Sequence, residues 1–340
     1  VGFAEERGGA AALARSFPFL IDDSRSSDVS TKIPLLVLNS LSSAHQAQIA
    51  EVYDVAYAPG DEARAAAIAA RGHEFRAVLT IGVIGITPAE IEAMPKVELI
   101  CCLGAGFEGV PLEVTRARGI VTANGAGTND DCVADHAFGL LIAIVRGFRT
   151  LDRQCREGVW RESIPQPPNV SGKKLGILGL GTIGQKIAKR AAGFDMEIGY
   201  HNRSPREGSP HRYFGDLKSL ASWADVLMLA APGGAATRHL VNAEVLDAIG
   251  PRGYLVNIGR GSVVDTEALA AALRENRIAG AALDVYESEP KPPQQLIGLD
   301  NVLLTPHLAG WSPEATQKSV DHFIANAQGH FAGSGVLTPV

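Results

Sequence analysis

The stretch Lys174-Leu-Gly-Ile-Leu-Gly179-Leu-Gly181-Thr-Ile-Gly184 decides how this chain is read. Its first residues form a short apolar run, which predicts a buried strand. The run enters a G-x-G-x-x-G turn, and Gln185–Ala192 continues as a helical pattern with Ile187, Ala188 and Ala191 on one face. Strand, glycine turn and helix together are what a dinucleotide pyrophosphate requires. Gly179 makes the tight turn, Gly181 lets the backbone approach phosphate, and Gly184 packs the helix on the strand. The helix N-terminus offers unbonded N–H groups and partial positive charge to the anion. Leu180, Thr182 and Ile183 complete this expected cofactor-binding turn.

The next strand names the cofactor. Met196–Tyr200 reads as that strand and runs into His201-Asn202-Arg203-Ser204-Pro205-Arg206. A site for NAD places an acid near this strand end to hold the ribose 2′-hydroxyl. Here the position holds Asn202. A carboxylate would repel a 2′-phosphate, whereas Arg203, Ser204 and Arg206 donate to one, arginine through two bonds. The expectation is NADP(H) in preference to NAD(H), with NAD(H) as the secondary cofactor.

With 340 residues, 46% of them hydrophobic and 20% charged, the chain is long enough for two globular domains. A net charge of −6 supplies no general attraction to nucleic acid or anionic membrane. The cysteines Cys101, Cys102, Cys132 and Cys155 form no C-x-x-C pair, and read as buried free thiols ahead of a disulfide or metal set. That fits a cytoplasmic protein, as does the lack of any membrane-length apolar run. Residues 1–32 are rich in alanine, serine and charge and read as an extension outside the core fold.

Strands are expected at Leu35–Leu38, Val52–Ala56, Ala77–Gly82, Leu99–Leu103 and Val121–Asn124, and again at Val226–Ala230, Tyr254–Ile258, Ala281–Asp284 and Val302–Leu304. Helical stretches alternate with them, which predicts α/β units with parallel sheets covered on both faces. One long helix is expected over Asp130–Arg156, and a last one over Pro313–Phe331. The dinucleotide turn lies in the second unit, so a cleft between the units is the natural place for a reaction.

Three polar residues stand just past strands of the second unit: Arg260, Glu289 and His307. Ketone reduction needs such a set. Histidine titrates near neutrality and suits the proton donor. A carboxylate beside it favours the imidazolium and orients the ring. A guanidinium polarises the carbonyl and holds a neighbouring carboxylate.

Gly179–Gly184, Asn257-Ile-Gly-Arg-Gly-Ser-Val-Val-Asp265, Leu283-Asp-Val-Tyr-Glu-Ser-Glu-Pro290 and Thr305-Pro-His-Leu-Ala-Gly310 follow one another in order and spacing. In these motifs the chain resembles the D-isomer-specific 2-hydroxyacid dehydrogenases. The resemblance implies Arg260, Glu289 and His307 as the catalytic set. It implies a Rossmann-type NADP-binding domain over residues 131–309 and a discontinuous, flavodoxin-like substrate domain over 33–130 and 310–340. The turn Leu103-Gly104-Ala105-Gly106 is implied to hold the substrate carboxylate, with Arg260 beside it and Trp311 narrowing the pocket. Ala231, Pro232, Ile258, Arg260, Asp284, His307 and Gly310 are implied to line the cofactor, Asp284 beside the nicotinamide carboxamide. A homodimer built on the long helix is also implied.

Gly233-Gly-Ala-Ala236 departs from the family's usual segment before Thr237-Arg238. The Asn-Arg-Ser strand end resembles the NADPH-preferring reductases of glyoxylate, hydroxypyruvate and hydroxyphenylpyruvate. The expected function is NADPH-dependent reduction of a small 2-keto acid such as glyoxylate or hydroxypyruvate. Hydroxyphenylpyruvate reduction, and a non-catalytic NADP(H)-sensing protein on the same fold, are the alternatives.

Overall fold

The apolar pentad Ile33–Val37 forms the first strand (β1) of a five-stranded sheet in the computed structural model, which describes residues 32–340. The expected extension over 1–32 lies outside the described residues except for Lys32. Tyr53–Tyr57 (β2), Ala77–Thr80 (β3), Leu99–Cys102 (β4) and Val121–Ala123 (β5) complete this sheet in the order β2-β1-β3-β4-β5, every pair parallel. Strands β3 and β4 are apolar at nearly every position because helices cover both faces.

Lys174–Leu178 (β6) begins a second sheet. Glu197–His201 (β7), Arg212–Tyr213 (β8), Val226–Leu229 (β9), Tyr254–Asn257 (β10), Gly280–Leu283 (β11) and Val302–Leu304 (β12) follow. Their order is β12-β11-β10-β9-β6-β7-β8, again all parallel. Chain direction across the sheet reverses between β6 and β9 here, and between β1 and β3 in the first sheet. Ligands of such sheets lie at these reversals, beyond the carboxyl ends of the strands.

The expected helix over Asp130–Arg156 is two helices, Asp130–Arg146 and Phe148–Arg156. Gly147 separates them at φ 68°, a left-handed conformation that glycine adopts without penalty and that ends the first helix. Val133, Ala134, Ala137, Phe138, Leu141 and Val145 of that first helix pack against Ile177, Met228, Val256 and Ala282 of the second sheet. Ser312 accepts the Ala315 amide and Pro313 takes the first turn, so the last helix starts where the sequence places it, at Pro313–Phe331. Its Val320, Phe323 and Ala327 bury against Leu35, Leu79 and Leu99, so the end of the chain covers the first sheet.

Candidate active site

The end of β6 turns at Gly179, whose φ of 96° requires glycine. A Cβ there would sit 2.8 Å from the Ala231 amide nitrogen, and one on Gly184 would sit 2.2 Å from the Gly179 carbonyl oxygen. Gly181 faces open space, with nothing within 4 Å of where its Cβ would be. The helix Thr182–Ala192 begins there with no side-chain cap, so its first amides point at that space unclaimed. Turn, clearance and donors fit a dinucleotide phosphate. Asn202 Oδ1 accepts the Leu180 amide at 2.7 Å, so Asn202 braces the turn as well as ending β7. Arg203, Ser204 and Arg206 are exposed beside it. The Leu180 and Ile258 side chains, expected at the cofactor, are buried in the core behind the site. Gly310 packs on Asn129, where a Cβ would come within 2.5 Å of Asn129 Nδ2.

The structure brings two of the three chemical candidates into contact. His307 Nδ1 lies 2.8 Å from Glu289 Oε2, and Glu289 Oε1 accepts the Tyr286 amide at 2.7 Å. The carboxylate is thus fixed at both oxygens and aims the ring. The Glu289 hydrogen bond raises the His307 pKa; burial opposes it, the nearby Glu289 and Asp284 charges add to it, and Arg260 opposes it. The net shift is upward, toward the imidazolium. Burial raises the Glu289 carboxyl, but the His307 and Tyr286 bonds outweigh this and hold it below its ordinary value.

His307 has φ 53°, a conformation that costs a non-glycine residue of order 1 kcal/mol. Asp284 holds it there. The His307 amide donates to the Asp284 carbonyl at 2.8 Å. The fully buried Asp284 carboxylate accepts from Thr305 Oγ1 at 2.6 Å and from the amides of Leu308 and Ala309 at 2.9 Å each. His136 Nε2 lies 3.4 Å from the same carboxylate. Burial raises the Asp284 carboxyl, but His136, Thr305 and the two amides outweigh it and keep it ionised. Asp284 therefore shapes the loop that carries His307. Asp284→Asn turns one acceptor oxygen into a donor that faces an N–H. We expect it to cost about 2–3 kcal/mol of folding stability, read as a lower urea midpoint, and an unchanged midpoint would remove this role.

Arg260 stands beyond β10 on a loop that Asn257 folds: Asn257 Nδ2 donates to the Arg260 carbonyl and Asn257 Oδ1 accepts the Gly259 amide, both at 3.0 Å. Gly261 follows because a Cβ there would fall 1.9 Å from the Tyr286 carbonyl carbon. This close approach presses the Arg260 loop against the segment that carries Glu289. Arg260 Nε donates to Oε1 of Glu108, on the loop beyond β4, at 2.7 Å. An added Cβ on Gly106 would meet Arg260 Nη2 at 2.5 Å, so the guanidinium lies directly on the Leu103–Gly106 turn. That turn is braced from behind, with Asn124 Nδ2 donating to the Ala105 carbonyl and the Gly125 amide to the Gly104 carbonyl. Among the described residues, the amides of Gly104, Ala105 and Gly106 donate to no protein acceptor. Trp311 is 75% exposed and Pro232 is exposed at the same edge, while Ala231 is buried beneath the glycine turn.

Sequence reasoning missed Glu108, Asn124, His136 and Thr305. Glu108 had a signal, being an acid two residues past the glycine turn. The other three act through hydrogen bonds between distant elements, which no local pattern discloses, even though Thr305 opens the Thr305–Gly310 motif.

Residues 138–309 match the model of the D-isomer specific 2-hydroxyacid dehydrogenase NAD-binding domain. Hydroxyphenylpyruvate reductase of Plectranthus scutellarioides is 39% identical over 274 residues, 80% of this chain and 88% of that one. A glyoxylate/hydroxypyruvate reductase of Arabidopsis thaliana is 38% identical over 267 residues, 78% of this chain and 83% of that one. The structure of an NADPH-dependent glyoxylate/hydroxypyruvate reductase of Sinorhizobium meliloti, in complex with NADP and malonate, superposes with TM-score 0.83 at 35% identity over 91% of this chain and 97% of that one. With the glycine turn, the His307–Glu289 pair and Arg260 set at the carboxyl ends of parallel strands, the chain belongs to the D-isomer-specific 2-hydroxyacid dehydrogenase family of enzymes.

Proposed function

We propose that this enzyme reduces a small 2-keto acid, of the glyoxylate or hydroxypyruvate type, to the D-2-hydroxy acid with NADPH. The observation that carries the reading is the His307–Glu289 pair placed at the same edge as Arg260 and the open amides of Gly104–Gly106. The nicotinamide cofactor, when bound at Gly179–Gly184 and Asn202–Ser204, supplies the hydride. The protein supplies the rest. Arg260 and the turn amides hold the substrate carboxylate, which presents the adjacent carbonyl for attack. Arg260 stabilises the negative charge that grows on the carbonyl oxygen. His307 donates from Nε2, since Nδ1 is committed to Glu289, and Glu289 stabilises the imidazolium until the proton leaves.

The preference for NADPH rests on Asn202 and the exposed Arg203 and Ser204, and relatives of that type carry NADPH in their names. The domain reading assigns 131–309 to the cofactor and 33–130 with 310–340 to the substrate. Among the described residues no helix is long and apolar enough to cross a membrane. Cytoplasmic placement is supported by the free thiols of Cys101 and Cys102, which are buried as expected, whereas Cys132 is half-buried and Cys155 exposed on its helix. A homodimer is supported by Phe148 and Trp160, 51% and 68% exposed around the second of the two helices.

Trp311 favours a second reading, since so large an exposed ring four residues beyond His307 offers a surface to an aromatic substrate. One panel separates them. With NADPH, kcat/KM for hydroxypyruvate or glyoxylate should exceed that for 4-hydroxyphenylpyruvate by about tenfold or more. The reverse order would establish the aromatic substrate. Tight NADPH binding with no turnover of any keto acid would favour the sensing protein. The same preparation should sediment at twice the chain mass.

A further inference from the structure

The Glu108 carboxylate has a built environment. Burial raises it, while the Arg260 hydrogen bond and charge and the amides of Glu108 and Phe107 pull it down, leaving it ionised. Two glycines clear the space around it, and a third lets their loops approach. A Cβ on Gly106 would lie 2.8 Å from Glu108 Oε2, one on Gly82 would lie 3.0 Å from the same oxygen, and one on Gly109 would meet the Gly82 carbonyl oxygen at 2.6 Å. The side chain reaches from the loop beyond β4 to the loop beyond β10 and takes Arg260 at Nε. Arg260 Nη1 donates to its neighbour's carbonyl, Gly259, at 2.7 Å. The donors left over lie on the outer edge of the guanidinium, shared by Nη1 and Nη2.

We propose that Glu108 is a positioning residue for the reduction: it clamps Arg260 side-on from the loop beyond β4 and thereby presents the outer fork of the guanidinium to the substrate carboxylate. The inference rests on Arg260 as the substrate anchor. It has a second consequence. A negative charge 2.7 Å from Arg260 offsets part of the attraction for an anionic substrate. Glu108 thus improves the aim of Arg260 and weakens its hold, which favours turnover over ground-state binding.

Glu108→Gln keeps the shape and an acceptor oxygen but removes the charge. We expect kcat to fall about tenfold and KM for hydroxypyruvate to fall about threefold, with Ki for the competitive inhibitor oxamate falling alongside KM. Glu108→Asp keeps the charge but is one methylene too short for the Nε contact. Its kcat should fall similarly with no fall in KM. A merely structural role would lower kcat or raise KM in both variants and tighten neither ligand. Glu108→Gln with kcat and KM both within about twofold of the parent would overturn the proposal, as would a raised KM with unchanged kcat, which marks a direct substrate contact. Arg260→Ala separates the underlying reading. If it leaves KM unchanged, the anchor assignment falls. If it raises KM while Glu108→Gln has no effect, the role of Glu108 alone falls.

Discussion

His307→Asn is expected to lower kcat for keto-acid reduction about a thousandfold, roughly 4 kcal/mol of transition-state stabilisation, while NADPH affinity stays within about twofold. Asparagine is the informative replacement because His307 sits at φ 53°, where asparagine is among the best tolerated of residues bearing a side chain. Its amide can still donate to the Asp284 carbonyl, as His307 does at 2.8 Å. What disappears is a group able to hold and release a proton near neutral pH. A variant that turns over within about tenfold of the parent would remove His307 from the mechanism.

The pH profile carries the same argument. The Glu289 hydrogen bond is the largest influence on the His307 pKa and moves it upward. Reduction requires the protonated ring, so kcat/KM should hold through neutral pH and decline as pH rises through the raised value. Oxidation of the hydroxy acid requires the neutral ring and should rise through the same region. Glu289→Gln removes both the charge and the carboxylate acceptor, so the alkaline limb of reduction moves to lower pH and kcat drops with it. A limb that stays in place would mean that Glu289 does not set the histidine's titration.

The site divides into a part that was legible along the chain and a part that was not. The glycine turn, Asn202, Arg260, Glu289 and His307 each follow a buried strand. A strand end in a parallel sheet delivers its next residues to one edge, so linear order sufficed to gather them. Strand positions were legible for the same reason, since apolar runs as short as Val226–Leu229 suit a strand buried on both faces better than a helix of ordinary length. The two-residue edge strand β8 had too few residues to show any period. The break at Gly147 was hidden because the polar and apolar residues on either side both fit a helix, and only the backbone conformation ends it. Glu108 was invisible as a partner of Arg260 because the contact joins residues 152 apart. The role of Asp284 was legible only in part. Its place just past a buried strand is plain from the sequence, but the hydrogen bonds its carboxylate accepts come from a loop that the strand β12 brings back to it.

Asn202→Asp should reverse the cofactor preference, shifting the ratio of kcat/KM for NADPH over NADH by about a hundredfold or more toward NADH. The substitution is conservative for the protein itself. Asn202 acts on the glycine turn as an acceptor, through Oδ1 to the Leu180 amide at 2.7 Å, and aspartate offers the same oxygen. Turn geometry and folding stability are therefore preserved, and the change is confined to charge. A carboxylate at the end of β7 repels a 2′-phosphate, which carries between one and two negative charges near neutrality, by about 2–3 kcal/mol at a partly exposed site. The same carboxylate gives the bare ribose of NADH a charged acceptor for its 2′-hydroxyl, a further gain of about 1 kcal/mol. Arg203→Ala tests the other half of the same electrostatic account. It should weaken NADPH and leave NADH nearly unchanged, because the exposed guanidinium has a partner only when the phosphate is there. Direct binding measurements separate affinity from turnover in both variants. An NADPH-to-NADH ratio that survives Asn202→Asp within about threefold would locate the discrimination elsewhere than this strand end.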